Sequence, residues 1–221
     1  MKNVKNIVVF DFETTGLSPH NDEIIEIGAI RLEKNNDGDF DIKDELSVLL
    51  KTTVLISDRI TEITGITREM QADKGISQEE AFQLLSNMID DETLLIAYNI
   101  QFDLGFLLSF YQRYWQKSYQ IKNDILDVMA LYKDRNKYPH RLESAVERYA
   151  ISFPNTHRAL DDVKATYAVL EAMKEELDNI GSYINVVGYN KKYGVSGPKL
   201  PHVNYVAQYG GYREIERLKN R

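Results

Sequence analysis

Apolar residues come first in short unbroken runs and later at helical spacing. Ile7–Phe10 is a β-branched and aromatic run bounded by Asn6 and Asp11. That pattern predicts a buried strand. Ile24–Leu32 (IIEIGAIRL) predicts a second strand with Gly28 inside it. The polar stretch Glu33–Asp39 reads as a turn, and Glu45–Leu50 as a third strand. Helical patterns take over at Ser57–Ile63 and Thr67–Ala72, separated by Gly65, and then at Ser77–Ile89. Ser77 with Glu80 three residues on is a capping box. Thr93–Tyr98 is another apolar strand, and Phe102–Trp115 is an amphipathic helix. Asn123–Leu126 reads as a short strand leading into a helix, and Arg141–Tyr149 and Ala159–Leu177 complete the series. Strands first, then alternating strand–helix units, predict an α/β fold: three antiparallel strands followed by two parallel ones, in a mixed five-stranded sheet flanked by helices.

Gly181 is the expected end of the last helix. Beyond it the composition changes: residues 181–221 hold six of the fourteen tyrosines and six of the twelve glycines. The expected organisation is therefore a domain over 1–180 and a C-terminal extension over 181–221. The extension carries seven Lys/Arg against two Glu, a balance of +5, which leaves −12 for residues 1–180 within the chain's −7. An acidic body is an awkward partner for phosphates unless cations intervene.

Composition narrows the chemistry. The chain has no cysteine, which excludes disulfides, thiolate metal sites and cysteine nucleophiles. A metal would have to use carboxylate, imidazole or backbone oxygen, and carboxylate-rich sites favour Mg²⁺ or Mn²⁺. No apolar run approaches the roughly 20 residues that span a bilayer. The N-terminal apolar run stops at Asp11, too short for a signal peptide. The expectation is a cytoplasmic protein with no membrane partner.

Three short elements carry candidate chemistry. In Asp11–Leu17 (DFETTGL), residues two apart on an extended strand point the same way, so Asp11 and Glu13 can present two carboxylates together. Paired anions repel, and a divalent cation relieves them. Asp-x-Glu is common, and alone it reads first as a strand ending in a polar turn; Thr14, Thr15 and Gly16 add hydroxyls and free amides beside it. In Tyr98–Leu107 (YNIQFDLGFL), Asn99 enters a turn and Asp103 opens a helix, where the macrodipole favours a carboxylate by roughly 0.3–1 kcal/mol. In His157–Asp162 (HRALDD), a histidine precedes the last long helix and Asp162 lies near its start. Each element alone has an ordinary structural explanation.

Order and spacing together are specific. Asp-x-Glu-Thr-Thr-Gly, then Asn-x-x-x-Asp about ninety residues on, then His-x-x-x-x-Asp, resembles the three motifs of the DEDDh exonucleases, the group that contains the proofreading epsilon subunit of bacterial DNA polymerase III. Ile60–Thr67 (ITEITGIT) is similar to that family's loop between the first two motifs. The resemblance covers roughly residues 5–178. It implies an RNase H-like fold and a two-metal-ion 3′–5′ exonuclease using two Mg²⁺ or Mn²⁺ ions. It implies Asp11, Glu13, Asp103 and Asp162 as metal ligands and His157 as general base; the spacing from His157 favours Asp162 over Asp161. It implies contacts to the terminal nucleotide from Thr14, Thr15, Gly16, Leu17 and Ile66, with Leu17 wedged against the last bases, and from Asn99 and Phe102 in the pocket. Many members have His-Asn where this chain has Tyr98-Asn99, which leaves substrate preference open.

The implied substrate is nucleic acid, DNA favoured over RNA, cut from single-stranded or frayed 3′ ends to nucleoside 5′-monophosphates in proofreading or repair. The alternatives are an accessory module active only with a DNA polymerase partner, and an exoribonuclease trimming RNA 3′ ends. In the extension, Lys191, Lys192, Tyr193, Lys199, Tyr205, Tyr209, Tyr212, Arg213 and Arg217 interleave bases with aromatics. That mixture suits single-strand stacking or, equally, an arm packed on protein.

Overall fold

The computed structural model describes residue 1, residues 4–152 and residues 158–208. Strands β1 (Asn6–Thr14), β2 (Ile24–Lys34) and β3 (Phe40–Leu49) form an antiparallel meander. Strands β4 (Thr93–Ala97) and β5 (Ile125–Asp127) continue the sheet in parallel with β1, in the order β3-β2-β1-β4-β5. This is the expected mixed five-stranded sheet.

Helices cover both faces, which is why β2 is buried at nearly every position instead of alternating. On one face Val8, Phe10 and Phe12 of β1 pack with residues of α3 (Gln78–Met88) and α4 (Ile100–Tyr114). On the other, Ile7 and Val9 pack with residues of α5 (Val128–Arg135), α6 (Leu142–Arg148) and α7 (Ala159–Glu176). Two short helices, α1 (Asp58–Thr64) and α2 (Arg68–Lys74), follow the meander. Their caps are Ser57 and Thr67, whose hydroxyls accept the Ile60 and Met70 N–H groups. Ser77 accepts the Glu80 N–H at 3.1 Å, as half of the expected capping box requires.

Several boundaries differ from expectation. Strand β1 runs past Phe10 to Thr14, because β2 continues beside it: Asp11 faces Gly28 and Glu13 faces Glu26. Strand β3 starts at Phe40 rather than Glu45. Strand β4 ends at Ala97, so Tyr98 stands in the turn. Helix α7 ends at Glu176 with Leu177 as its cap, and Gly181 lies in a later 3-10 turn, Ile180–Tyr183.

Residues 180–208 lie against the same sheet. Tyr183 and Ile180 complete one core cluster, and Val187, Leu200 and Val203 the other. Strands β6 (Val186–Tyr189) and β7 (Asn204–Ala207) pair in parallel beside β5. Tyr205 belongs to this packing: its hydroxyl accepts the Leu200 N–H at 2.8 Å. Tyr209, Tyr212, Arg213 and Arg217 lie outside the described residues.

Candidate active site

Strand β1 outruns β4: their pairing stops at Val9–Ile96, while β1 continues to Thr14. The backbone beyond Val9 therefore faces a gap beside β4. On the face shared with Ile7 and Val9, the alternation of the strand delivers Asp11 and Glu13. Helix α7 crosses this face and brings Asp162, from its first turn, to the same place. Ligand atoms of Asp11, Glu13 and Asp162 all lie within 4.8 Å of one another. Asp162 rather than Asp161 occupies this cluster. A β-bulge directly follows, where the register shifts between Glu13 and Thr14.

Asp103 enters from the gap side. It sits in the first turn of α4, is 2% exposed, and accepts the Phe12 N–H at 3.2 Å. The turn that starts α4 is fixed by Asn99, exposed and left-handed at φ 67°. Its N–H donates to Asp127 at 3.1 Å, and the same carboxylate oxygen caps α5 through the Met129 N–H. Burial raises the Asp127 carboxyl to about 6. Phe102 is half-buried and packs on Phe106, with ring centroids 5.1 Å apart.

The electrostatics suit a bound cation. Burial, then Asp162 and Glu26, raise Asp11 to about 8. Burial, then Asp11, Asp162 and Glu26, raise Glu13 to about 9, with Arg158 opposing. Asp103 is raised well above the carboxylate range by burial and by Asp11, against the pull of the Phe12 N–H. Crowded, half-buried carboxylates of this kind are stable as anions only with positive charge among them. The donor set is all oxygen and suits a hard divalent ion. The residues present therefore fit the expected metal centre.

After the bulge the chain turns away. Thr14 donates to the Gly16 carbonyl at 2.6 Å. Asp22 gathers the loop, accepting the Thr15 hydroxyl at 3.1 Å and the Ser18 N–H at 2.9 Å. A Cβ on Gly16 would lie 2.5 Å from the Asp22 carboxylate, so a side chain there would push Asp22 out of its place in the loop. Leu17 is held out at 84% exposure.

One expected contact changes. Ile66 is fully buried among Ile25, Leu49 and Ile56, so its side chain is a packing element and not part of a substrate surface. His157 lies outside the described residues. Tyr98 occupies the family's usual histidine position and packs inward; its hydroxyl donates to the His140 and Arg141 carbonyls at 3.0 and 3.2 Å.

Sequence reasoning missed Glu26, Gly28 and Arg158. A Cβ on Gly28 would lie 2.3 Å from the Ala159 carbonyl carbon, so this glycine lets α7 begin against the sheet. The available signal was a charged residue and a glycine two apart inside a strand that is apolar on both faces, IIEIGAIRL.

The exonuclease family model (RNase_T) matches residues 8–170, three-quarters of the chain, and the chain belongs to this family of DEDD-type exonucleases. Among its relatives are DNA polymerase III PolC-type proteins. That of Thermotoga petrophila is 37% identical over 179 residues, covering 79% of this chain and 12% of the relative. That of Caldanaerobacter subterraneus is 32% identical over 223 residues, covering 97% and 15%. The chain thus spans about a seventh or less of the length of these relatives. Among solved structures, E. coli exonuclease I bound to a dT13 oligonucleotide superposes with a TM-score of 0.69 at 22% identity, over 81% of this chain and 43% of that one. This likeness shows the expected RNase H-like fold. No helix among the described residues is long and apolar enough to cross a membrane.

Proposed function

We propose that the chain is a divalent-metal-dependent 3′–5′ exonuclease that releases nucleoside 5′-monophosphates from the 3′ end of DNA. The observation that carries the proposal is the convergence of Asp11, Glu13 and Asp162 within 4.8 Å at the end of β1. Two bound Mg²⁺ or Mn²⁺ ions would supply activation of the attacking water and stabilisation of the leaving 3′ oxygen. Asp11, Glu13 and Asp162 would hold one ion; Asp11, supported by Asp103, would hold the other.

The chain's own residues do the rest. His157 takes the proton of the attacking water, a role suited to an imidazole near neutral pH. The loop Thr14–Leu17 offers the outward side chain of Leu17 and the backbone around Gly16 to the terminal nucleotide, while Thr14 and Thr15, both buried, shape it through their bonds to the Gly16 carbonyl and Asp22. Asn99 and Phe102, at the start of the helix that carries Asp103, would contact the same nucleotide. The catalytic domain spans 1–180, and the extension 181–221 is packed on it through its residues up to 208. DNA is favoured over RNA because the relatives are DNA polymerases and the superposed exonuclease I carries a DNA oligonucleotide. A second reading has support in the same coverage: the matched region is 12–15% of PolC-type polymerases, which fits a proofreading module working beside a polymerase.

The test is direct. Purified protein with Mn²⁺ and a 3′-labelled single-stranded DNA should release labelled mononucleotide; matched RNA should be cut more slowly. Absence of mononucleotide release contradicts the independent-enzyme reading, and release on adding a polymerase would favour the second. His157→Ala and Asp162→Ala should each abolish turnover while leaving the fold in place.

A further inference from the structure

We infer that Glu26 and Arg158 are positioning residues that hold Asp162 against Asp11 and Glu13, so that the carboxylate cluster is assembled before an ion arrives. The inference rests on the metal-dependent reading above. Glu26 is 1% exposed and stands on β2 directly opposite Glu13. One of its oxygens accepts both Arg158 Nε, at 2.9 Å, and Arg158 Nη2. The other accepts the Ala159 N–H at 3.1 Å. Both oxygens are therefore committed to the start of α7.

That start needs an external partner. Long helices usually draw a cap from the residue before the first turn, a Ser, Thr, Asp or Asn. Here that residue is Arg158, whose side chain makes no cap bond to the helix. A carboxylate from another strand supplies the acceptor instead. A helix N-terminus favours an anion, and Glu26 meets it from the sheet side. Asp162 follows within the same turn, its N–H donating to the Arg158 carbonyl at 3.1 Å. The path from Glu26 to Asp162 thus runs through two hydrogen-bonded residues and no flexible link. Gly28, two residues along β2, lets the helix come this close.

The charge arrangement separates the roles. Arg158 bonds Glu26 and not the three ligands, so its guanidinium chiefly neutralises the positioning acid. A lysine would keep the charge but lose the forked geometry. Groups that orient metal ligands in this way typically contribute 10- to 100-fold in affinity or activity.

The experiment compares the wild type with Glu26→Gln, Arg158→Met and Arg158→Lys. Each protein is stripped with EDTA, melted, titrated with Mn²⁺ followed by electron paramagnetic resonance, and assayed on single-stranded DNA for kcat and KM. We expect cooperative melting, Mn²⁺ binding weakened by about 10- to 100-fold, and kcat lowered with little change in oligonucleotide KM. Raising Mn²⁺ should restore kcat toward wild type, which a merely structural defect would not allow, and Arg158→Lys should retain part of the affinity. Wild-type Mn²⁺ affinity in Glu26→Gln and Arg158→Met overturns the inference. If Glu26→Gln does not fold, Arg158→Met, which alters a side chain 39% exposed, carries the same test. Weakened Mn²⁺ binding in the variants of a wild type that cuts nothing would uphold the positioning and sink the reaction. Full activity and unchanged Mn²⁺ binding in every variant would sink the positioning alone.

Discussion

Asp103 accepts the backbone N–H of Phe12, the residue that lies between Asp11 and Glu13 on β1. One hydrogen bond thus fills the pairing that β4 is too short to supply and sets a fourth carboxylate beside the cluster. Structure and charge can be separated at this position. Asp103→Asn keeps an oxygen that can accept the Phe12 N–H while removing the charge. We expect an unfolding transition close to wild type, and kcat lower by on the order of 10²–10³-fold, the several kcal/mol a well-held divalent ion contributes. Denaturant unfolding and steady-state kinetics on one preparation check both halves. A variant with wild-type kcat would remove Asp103 from the site.

Gly28 tests the approach of α7. A Cβ there would fall 2.3 Å from Ala159 backbone, which no rotamer change relieves. Gly28→Ala should cost about 1–3 kcal/mol of stability, the usual toll of overpacking, and should displace the helix start that carries Asp162. Urea unfolding together with Mn²⁺ titration reads both consequences. Wild-type stability would show that the helix moves freely at this point.

The raised carboxyls make metal-free stability depend on pH. Asp11 sits at about 8 and Glu13 at about 9 in the folded chain, against ordinary values near 4. Between those limits the folded state holds protons that the unfolded state has released. Stability should therefore fall as pH rises from about 4 through 8 to 9, from these two groups. An ion that replaces the protons removes the penalty. The melting temperature gained on adding Mn²⁺ to EDTA-treated protein should accordingly be larger at pH 8.5 than at pH 6. An equal or smaller gain at the higher pH contradicts the raised carboxyls.

Tyr98 tests the departure from the family's usual histidine. Its hydroxyl ties the start of the second motif to the carbonyls of His140 and Arg141. Tyr98→Phe should lose about 1 kcal/mol of stability, the net worth of one hydrogen bond, and leave kcat/KM near wild type. A large loss of activity without a loss of stability would place the tyrosine in the reaction.

The sheet was legible in the sequence because its strands are short apolar runs separated by polar turns; Asp11 and Glu13 were legible as a pair because strand alternation points them the same way, and Asp162 through the resemblance to the family's motif and its spacing from His157. Other parts were hidden for physical reasons. The full length of β1 was obscured because its last residues trade apolar side chains for carboxylates, although the pairing with β2 continues. Ile66 looked like a loop contact because its burial among Ile25, Leu49 and Ile56 comes from residues distant in sequence. Glu26 looked like a stray charge in a strand because its partner, Arg158, lies 132 residues away. Gly181 resembled a helix stop, but α7 had already ended when the chain turned to pack Ile180 and Tyr183.

Four carboxylates on three elements are expected to form one two-ion site. Anomalous diffraction from crystals soaked with Mn²⁺ and a nucleoside 5′-monophosphate tests it most directly. Two peaks about 3.5–4 Å apart are expected, one within reach of Asp11, Glu13 and Asp162 and the other beside Asp11 and Asp103, with the nucleotide's phosphate touching both. Density for Mn²⁺ elsewhere, with none between Asp11 and Asp162, would contradict it.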